Sequence, residues 1–280
     1  MGAALAGPVW ANSLTLSTLA DTQHGRSADL RGSFAPTEAL TLGASLGRSS
    51  STGSSGDEDF SGTSFGGSLD LDMGAFFADV SADRWQDSGQ LRSTTLHGEL
   101  GWLSDSGVAL SALVTHHAMR VTYSATLLGQ TREATADFSG TGFGADISWY
   151  GPLWNAGVRF LDYSYGRSVG RVRQVLDSGN TNRFPRLQRL IGSMATRAAG
   201  APDREASGVL GRQFGSASLT ANLDWQRDAL TGDTTKSAGL SLGLTPAPRW
   251  GVNVSAGVSK SGQAGTVKWA GLSLSLRSAK

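Results

Sequence analysis

The side chains that could do chemistry fall into small sets at even spacing. Asp70 and Asp72, Asp79 and Asp83, and His97 and Glu99 each lie two or four residues apart, with Asp146, Arg31 and Arg159 in similar surroundings. On an extended strand, even spacing puts both members of a set on one face. His97 and Glu99 with a nearby Ser or Asp could form a hydrolytic pair, but in a chain this rich in Ser such proximity arises by chance. No GxSxG, HExxH, phosphate-loop or dinucleotide pattern accompanies it in a suitable context. His116 and His117 are adjacent, hence on opposite faces of a regular strand, and cannot together ligate one metal; His24 stands apart. The segment GSSGDEDF at 53–60 lacks the ligand spacing of a calcium loop and reads as an exposed acidic loop. These residues point to no catalytic site, metal or cofactor. They point to a charged wall, provided that the strands carrying them line a common space.

Composition narrows the classes. The chain has no Cys, which excludes a disulfide framework and thiol chemistry, and a net charge of +1 gives no reason to expect a nucleic-acid partner. No apolar run approaches the roughly eighteen residues of a membrane helix.

The dominant signal is strict two-residue alternation. Leu40, Leu42, Ala44 and Leu46 share one face against Thr41, Gly43 and Ser45. Trp154, Ala156, Val158 and Phe160 oppose Asn155, Gly157 and Arg159, and Leu219, Ala221, Leu223 and Trp225 oppose Thr220, Asn222 and Asp224. Trp250, Val252, Val254, Ala256 and Val258 form another such face. The pattern predicts strands at 13–20, 27–35, 39–48, 64–72, 75–84, 93–103 and 107–118. It continues at 137–149, 154–164, 206–214, 217–226, 236–245, 250–260 and 267–277. Fourteen strands follow, or twelve if two candidate edges are loops. Most are close to the nine to eleven residues that cross a bilayer at a tilt.

Connections alternate as well. Short turns (APTE, MG, SDS, YGPL, GS, PAPR) alternate with mostly longer connections, including 49–63, 124–136 and 166–205. Short turns at one rim and long loops at the other mark a closed antiparallel transmembrane β-barrel. A soluble β-sandwich also alternates, but its inner face would carry large aliphatic residues. Here the face opposite the apolar one is Gly, Ser, Thr, Asn and Asp, and Ile occurs only at Ile147 and Ile191. Trp102, Trp149, Trp154, Trp225, Trp250 and Trp269 lie near strand ends, where an interfacial girdle belongs.

With apolar faces toward lipid, the lumen would receive Asp70, Asp72, Asp79, Asp83, His97, Glu99 and Asp146, opposed by Arg31 and Arg159. These charges would set up a transverse field in an open pore or pair to close a narrow one. The long connection 166–205 contains a short amphipathic pattern, Leu187, Leu190, Ile191 and Met194 after Pro185. Arg183, Arg186, Arg189 and Arg197 would make this segment a cap or constriction, or an external loop whose arginines face solvent or anionic headgroups. Residues 1–12 read as a lead-in or signal remnant before a barrel over 13–280.

Phrases such as ADLRGSFAPTEALTLGASLGRSS and WGVNVSAGVSKSGQAGTVKWAGLSLSLRS resemble the C-terminal translocator barrels of bacterial autotransporters. That resemblance implies a pore guiding export of an N-terminal passenger. The expected functions are therefore, in order, an outer-membrane pore for small solutes or ions, an autotransporter translocator, and an occluded barrel that anchors a partner. Expected partners are membrane lipid and lipopolysaccharide, the outer-membrane assembly machinery and a passenger or protein partner, with a monomeric barrel.

Overall fold

Each alternating segment forms a strand. The computed structural model describes residues 13–51, 60–87, 91–127, 130–166, 201–262 and 265–277. The strands are β1 (Ser13–Asp21), β2 (Gly25–Phe34), β3 (Leu40–Ser51), β4 (Phe60–Asp72), β5 (Phe76–Asp87), β6 (Leu91–Leu103) and β7 (Val108–Leu127). They continue as β8 (Gln130–Tyr150), β9 (Trp154–Tyr165), β10 (Pro202–Phe214), β11 (Ala217–Asp228), β12 (Thr234–Ala247), β13 (Trp250–Ser261) and β14 (Gly265–Arg277). Each pairs antiparallel with its sequence neighbours. The sheet closes where β1 meets β14, from Ser13 opposite Arg277 to Asp21 opposite Trp269. Closure satisfies every edge, as a sheet surrounded by hydrocarbon requires.

The result is a fourteen-stranded closed antiparallel transmembrane β-barrel, and the twelve-strand alternative is excluded. Its outer surface carries the apolar residues. Phe143 is 67% exposed and Leu223 64%, whereas inward-facing Leu113 is 3% exposed. Burying such a surface in hydrocarbon is favourable by about 25 cal/mol per Å² of apolar area; leaving it in water forfeits that gain.

The two rims are built differently. At the short-turn rim, Gly74 takes φ +82° and its N–H donates to Asp72 Oδ1 at 2.9 Å, closing the β4–β5 turn. At the other rim some connections are also tight. Asp21 Oδ1 accepts from the backbone N–H of Gln23 (2.9 Å) and Gly25 (2.8 Å), so β1 returns as β2 within three residues. Asp228 Oδ1 closes the β11–β12 turn in the same way, accepting from the N–H of Leu230 and Thr231.

Two local expectations need correction. The stretch 124–136 is largely not a loop: β7 and β8 remain paired from Val108 opposite Trp149 out to Leu127 opposite Gln130, forming a hairpin that extends past the apolar belt. Its outward residues turn polar at His116, which hydrogen-bonds Thr141 at 3.0 Å. One step further, Arg120 donates to both carboxylate oxygens of Asp137 (2.6 and 3.0 Å), and these bonds hold the Asp137 carboxyl below the usual carboxylate range. Trp269 is the second correction. Trp102, Trp149, Trp154, Trp225 and Trp250 share the outward face with the apolar residues, whereas Trp269 points inward over Gly239 and Gly257, where a Cβ would collide with its ring.

Candidate functional site: the barrel lumen

Barrel size determines whether the inward face encloses space. Fourteen strands spaced about 4.8 Å apart and tilted near 40° place the backbone roughly 14 Å from the axis. Eight-stranded barrels are filled by their own side chains, and 16 to 18 strands leave an aqueous channel. This barrel is nearer the second case, and its inward face is small: Ser17, Ser45, Ser68, Gly243, Ser255 and Ser273 occupy positions where a core would need bulk.

Cavities of about 320, 560 and 340 Å³ follow one another along this interior. The largest reaches from Asp29 and Arg31 on β2 to Arg159, Glu205 and Gln226 on β9–β11, which is from one wall to the other. Arg31 and Asp83 also line the first space, and Arg159, Glu205 and Gln226 the third, so the spaces share walls.

The strand register determines what the charges do. Asp70 lies directly opposite Asp79, and Asp79 directly opposite Glu99, giving a row of three carboxylates across β4, β5 and β6. Beyond that row, Arg159 Nη2 contacts Glu99 Oε2 at 3.2 Å and its Nε lies 3.5 Å from Asp146 Oδ2. One guanidinium on β9 thus ties β6 to β8 across the inner face of β7. The network is well held: Ser111 Oγ donates to Glu99 Oε1 (2.7 Å) and Ser148 Oγ to Asp146 Oδ1 (2.6 Å). His97 joins with Nε2 3.8 Å from Glu99 and Nδ1 2.9 Å from Thr115 Oγ1. Ser111 bonds the carboxylate rather than the imidazole, so the nucleophile–base contact of a hydrolytic set is not formed.

The other sequence-derived positions lie apart from this network. Asp83 and Arg31 face the same interior from β5 and β2, and Asp72 sits at the short-turn rim, engaged with its own turn. Arg183, Arg186, Arg189 and Arg197, with most of the 53–60 segment, lie outside the described residues. His117 faces inward, 3% exposed and 3.0 Å from Thr95 Oγ1, while His116 faces outward. Among the described residues no three His, Asp or Glu side chains converge as metal ligands.

The register adds inward carboxylates that the sequence reading did not select: Asp29 on β2, Glu205 on β10 and Asp224 on β11. Tyr163 Oη donates to Glu205 Oε2 at 3.0 Å. The parity signal for Asp29 was available, since it shares a face with Arg31. One wall also departs from a purely polar lumen: Leu113 and Leu161 meet over Gly144 and pack with Tyr163, with Tyr165 against them.

No family model matches the chain, and no curated protein matches it. Solved barrels do. The CymD monoaromatic hydrocarbon channel is 8% identical over 97% of this chain and 88% of its own, with a TM-score of 0.51. OmpT of Vibrio cholerae with loop L8 deleted is 9% identical, covering 96% of this chain and 98% of that one, with a TM-score of 0.49. The KdgM porin in complex with disordered oligogalacturonate is 9% identical over 96% and 99%, with a TM-score of 0.43. At such identities the likeness concerns the fold. The expected kinship with autotransporter translocators is overturned: those barrels have twelve strands, whereas this one has fourteen and shares its fold with the CymD channel.

Proposed function

We propose that this protein is an outer-membrane channel that passes small polar solutes or ions through its lumen and favours cations. The observation that carries the reading is the row Asp70–Asp79–Glu99, supplemented by further inward carboxylates on β2, β5, β8, β10 and β11. Among the described residues the arginines lining this space are Arg31, Arg48, Arg84 and Arg159; Arg48 and Arg84 occupy outward-facing positions of β3 and β5, and Arg159 is already committed to Glu99 and Asp146. Such an excess of one sign, with low-dielectric walls, concentrates counter-ions and repels co-ions. Arg183, Arg186, Arg189 and Arg197 would act as a cap at the long-loop rim. The barrel works as a monomer, held by membrane lipid after delivery by the outer-membrane assembly machinery.

A second reading, an occluded structural barrel, draws on the Arg159 network and the Leu113–Leu161–Tyr163 cluster, which thicken one wall. Conductance in a planar bilayer separates the two, measured for the refolded full chain and for a variant lacking 186–199. Stable conductance of the full chain supports the channel. Silence that gives way to conductance on deletion makes the basic segment a plug. Silence in both, with folding and insertion demonstrated, leaves the occluded barrel.

A further inference from the structure

On the outer surface, beyond the apolar belt at the long-loop rim, a groove of about 560 Å³ runs over β5–β8 and is lined by Arg84, Arg92 and Arg120. Arg92 lies directly opposite Arg120 in the β6–β7 register, and Arg84 opposite Thr94 in the β5–β6 register, so the three side chains share the outward face of neighbouring strands. Like charges directly opposite on a sheet destabilise it. Asp137 answers only one of them, through its two bonds to Arg120. Among the described residues neither Arg84 nor Arg92 has a carboxylate within ion-pair distance, and Arg84 Nε is buried without a hydrogen-bond partner.

The location limits what can supply the missing charge. Arg84 lies over the ring of Phe65, a belt residue, with its Cζ 5.8 Å from the ring centroid. Its guanidinium therefore lies against the apolar surface, where it would meet the lipid headgroups at the edge of the belt. A soluble anion would have to enter a membrane interface, whereas a lipid phosphate already resides there. Arginine forks also match phosphate geometry better than a point charge does.

We infer that the Arg84–Arg92–Arg120 groove binds a phosphate group of an anionic lipid in the leaflet at the long-loop rim. The inference rests on the barrel being an outer-membrane protein but not on its conducting. The opposite rim is built otherwise: there Arg212 stacks between Trp154 and Phe214, with its Cζ 4.8 and 4.7 Å from the ring centroids. A second like-charge pair, Lys236 opposite Lys260 on β12–β13, faces outward at the long-loop rim and serves as an internal comparison.

The refolded full-length barrel, in neutral detergent with added diphosphoryl lipid A, is examined by native mass spectrometry. Wild type should retain the lipid, and R84Q/R92Q/R120Q should retain at least fivefold less, with K236Q/K260Q close to wild type. Lipid A stripped of phosphate should not be retained, and inorganic phosphate at millimolar concentration should not displace the intact lipid. Equal retention by the triple variant, loss confined to the lysine variant, equal retention of dephosphorylated lipid, or displacement by free phosphate would each overturn the assignment. If the glutamine variant does not refold, R84K/R92K/R120K and the two lipids on wild type still decide the question. Bilayer conductance is read separately, so a silent barrel that binds the lipid refutes the channel and leaves this site standing.

Discussion

Asp70 and Asp79 stand directly opposite each other in the β4–β5 register, and both face the lumen. Opposed carboxylates cost a sheet stability, and here the cost is compounded because Glu99 flanks Asp79 on its other side. In the proposed channel, cations drawn into the lumen would offset this repulsion, which ties the local arrangement to the proposed selectivity.

Neutralising the row should therefore weaken cation preference without closing the barrel. D70N/D79N/E99Q is expected to shift the reversal potential in a tenfold KCl gradient toward zero, with the cation-to-anion permeability ratio falling severalfold. An unchanged reversal potential would remove these three residues from any selective role.

Arg159 makes the opposite prediction. Its replacement by Gln releases Glu99 and Asp146 from their shared cation, so cation preference should rise. The stability cost should be small, about 1 kcal/mol or less, because the Arg159 side chain is 39% exposed. Reversal potential and the temperature of heat-modified gel migration check the two parts separately. A fall in cation preference would mean that Arg159 does not act by masking carboxylates.

Gly144 tests the packing of the apolar wall. A Cβ there would strike the Phe160 carbonyl oxygen and lie 2.9 Å from Leu161 Cγ. Neither backbone nor packed leucine can yield cheaply, so Gly144→Ala should destabilise the barrel by about 1–3 kcal/mol, measured as a lower urea midpoint for unfolding in detergent. Gly74→Ala would also be costly, but through its positive φ rather than a clash.

How much of this was legible in the sequence depends on where hydrocarbon imposes a pattern. Within the belt, a side chain pointing the wrong way is penalised at every second position, so runs such as Leu219–Trp225 revealed strand, face and phase together. Beyond the belt both faces meet water and the alternation fades. That is why the far end of the β7–β8 hairpin, 124–136, read as a loop. Residue type misled at Trp269, which looked like a girdle tryptophan; its parity with Gly271 and Ser273 places it inside, over two glycines. The carboxylate row itself needed the register. Even spacing put Asp70 and Asp79 on inward faces, but only strand pairing sets them opposite one another and brings Arg159 to Glu99 from three strands away.

Acidification provides a last test that needs no substitution. Each inward carboxylate that takes up a proton loses its negative charge while Arg31 and Arg159 keep theirs, so the lumen's field must move in the positive direction as pH falls. Cation preference should accordingly decline from neutral pH toward pH 4 and recover on return, followed by reversal potential in a KCl gradient. The decline should be blunted in D70N/D79N/E99Q, which has fewer groups to protonate. If wild type and the triple variant lost selectivity in parallel, the titrating groups would lie elsewhere on the conduction path, and the Asp70–Asp79–Glu99 row would not be the filter.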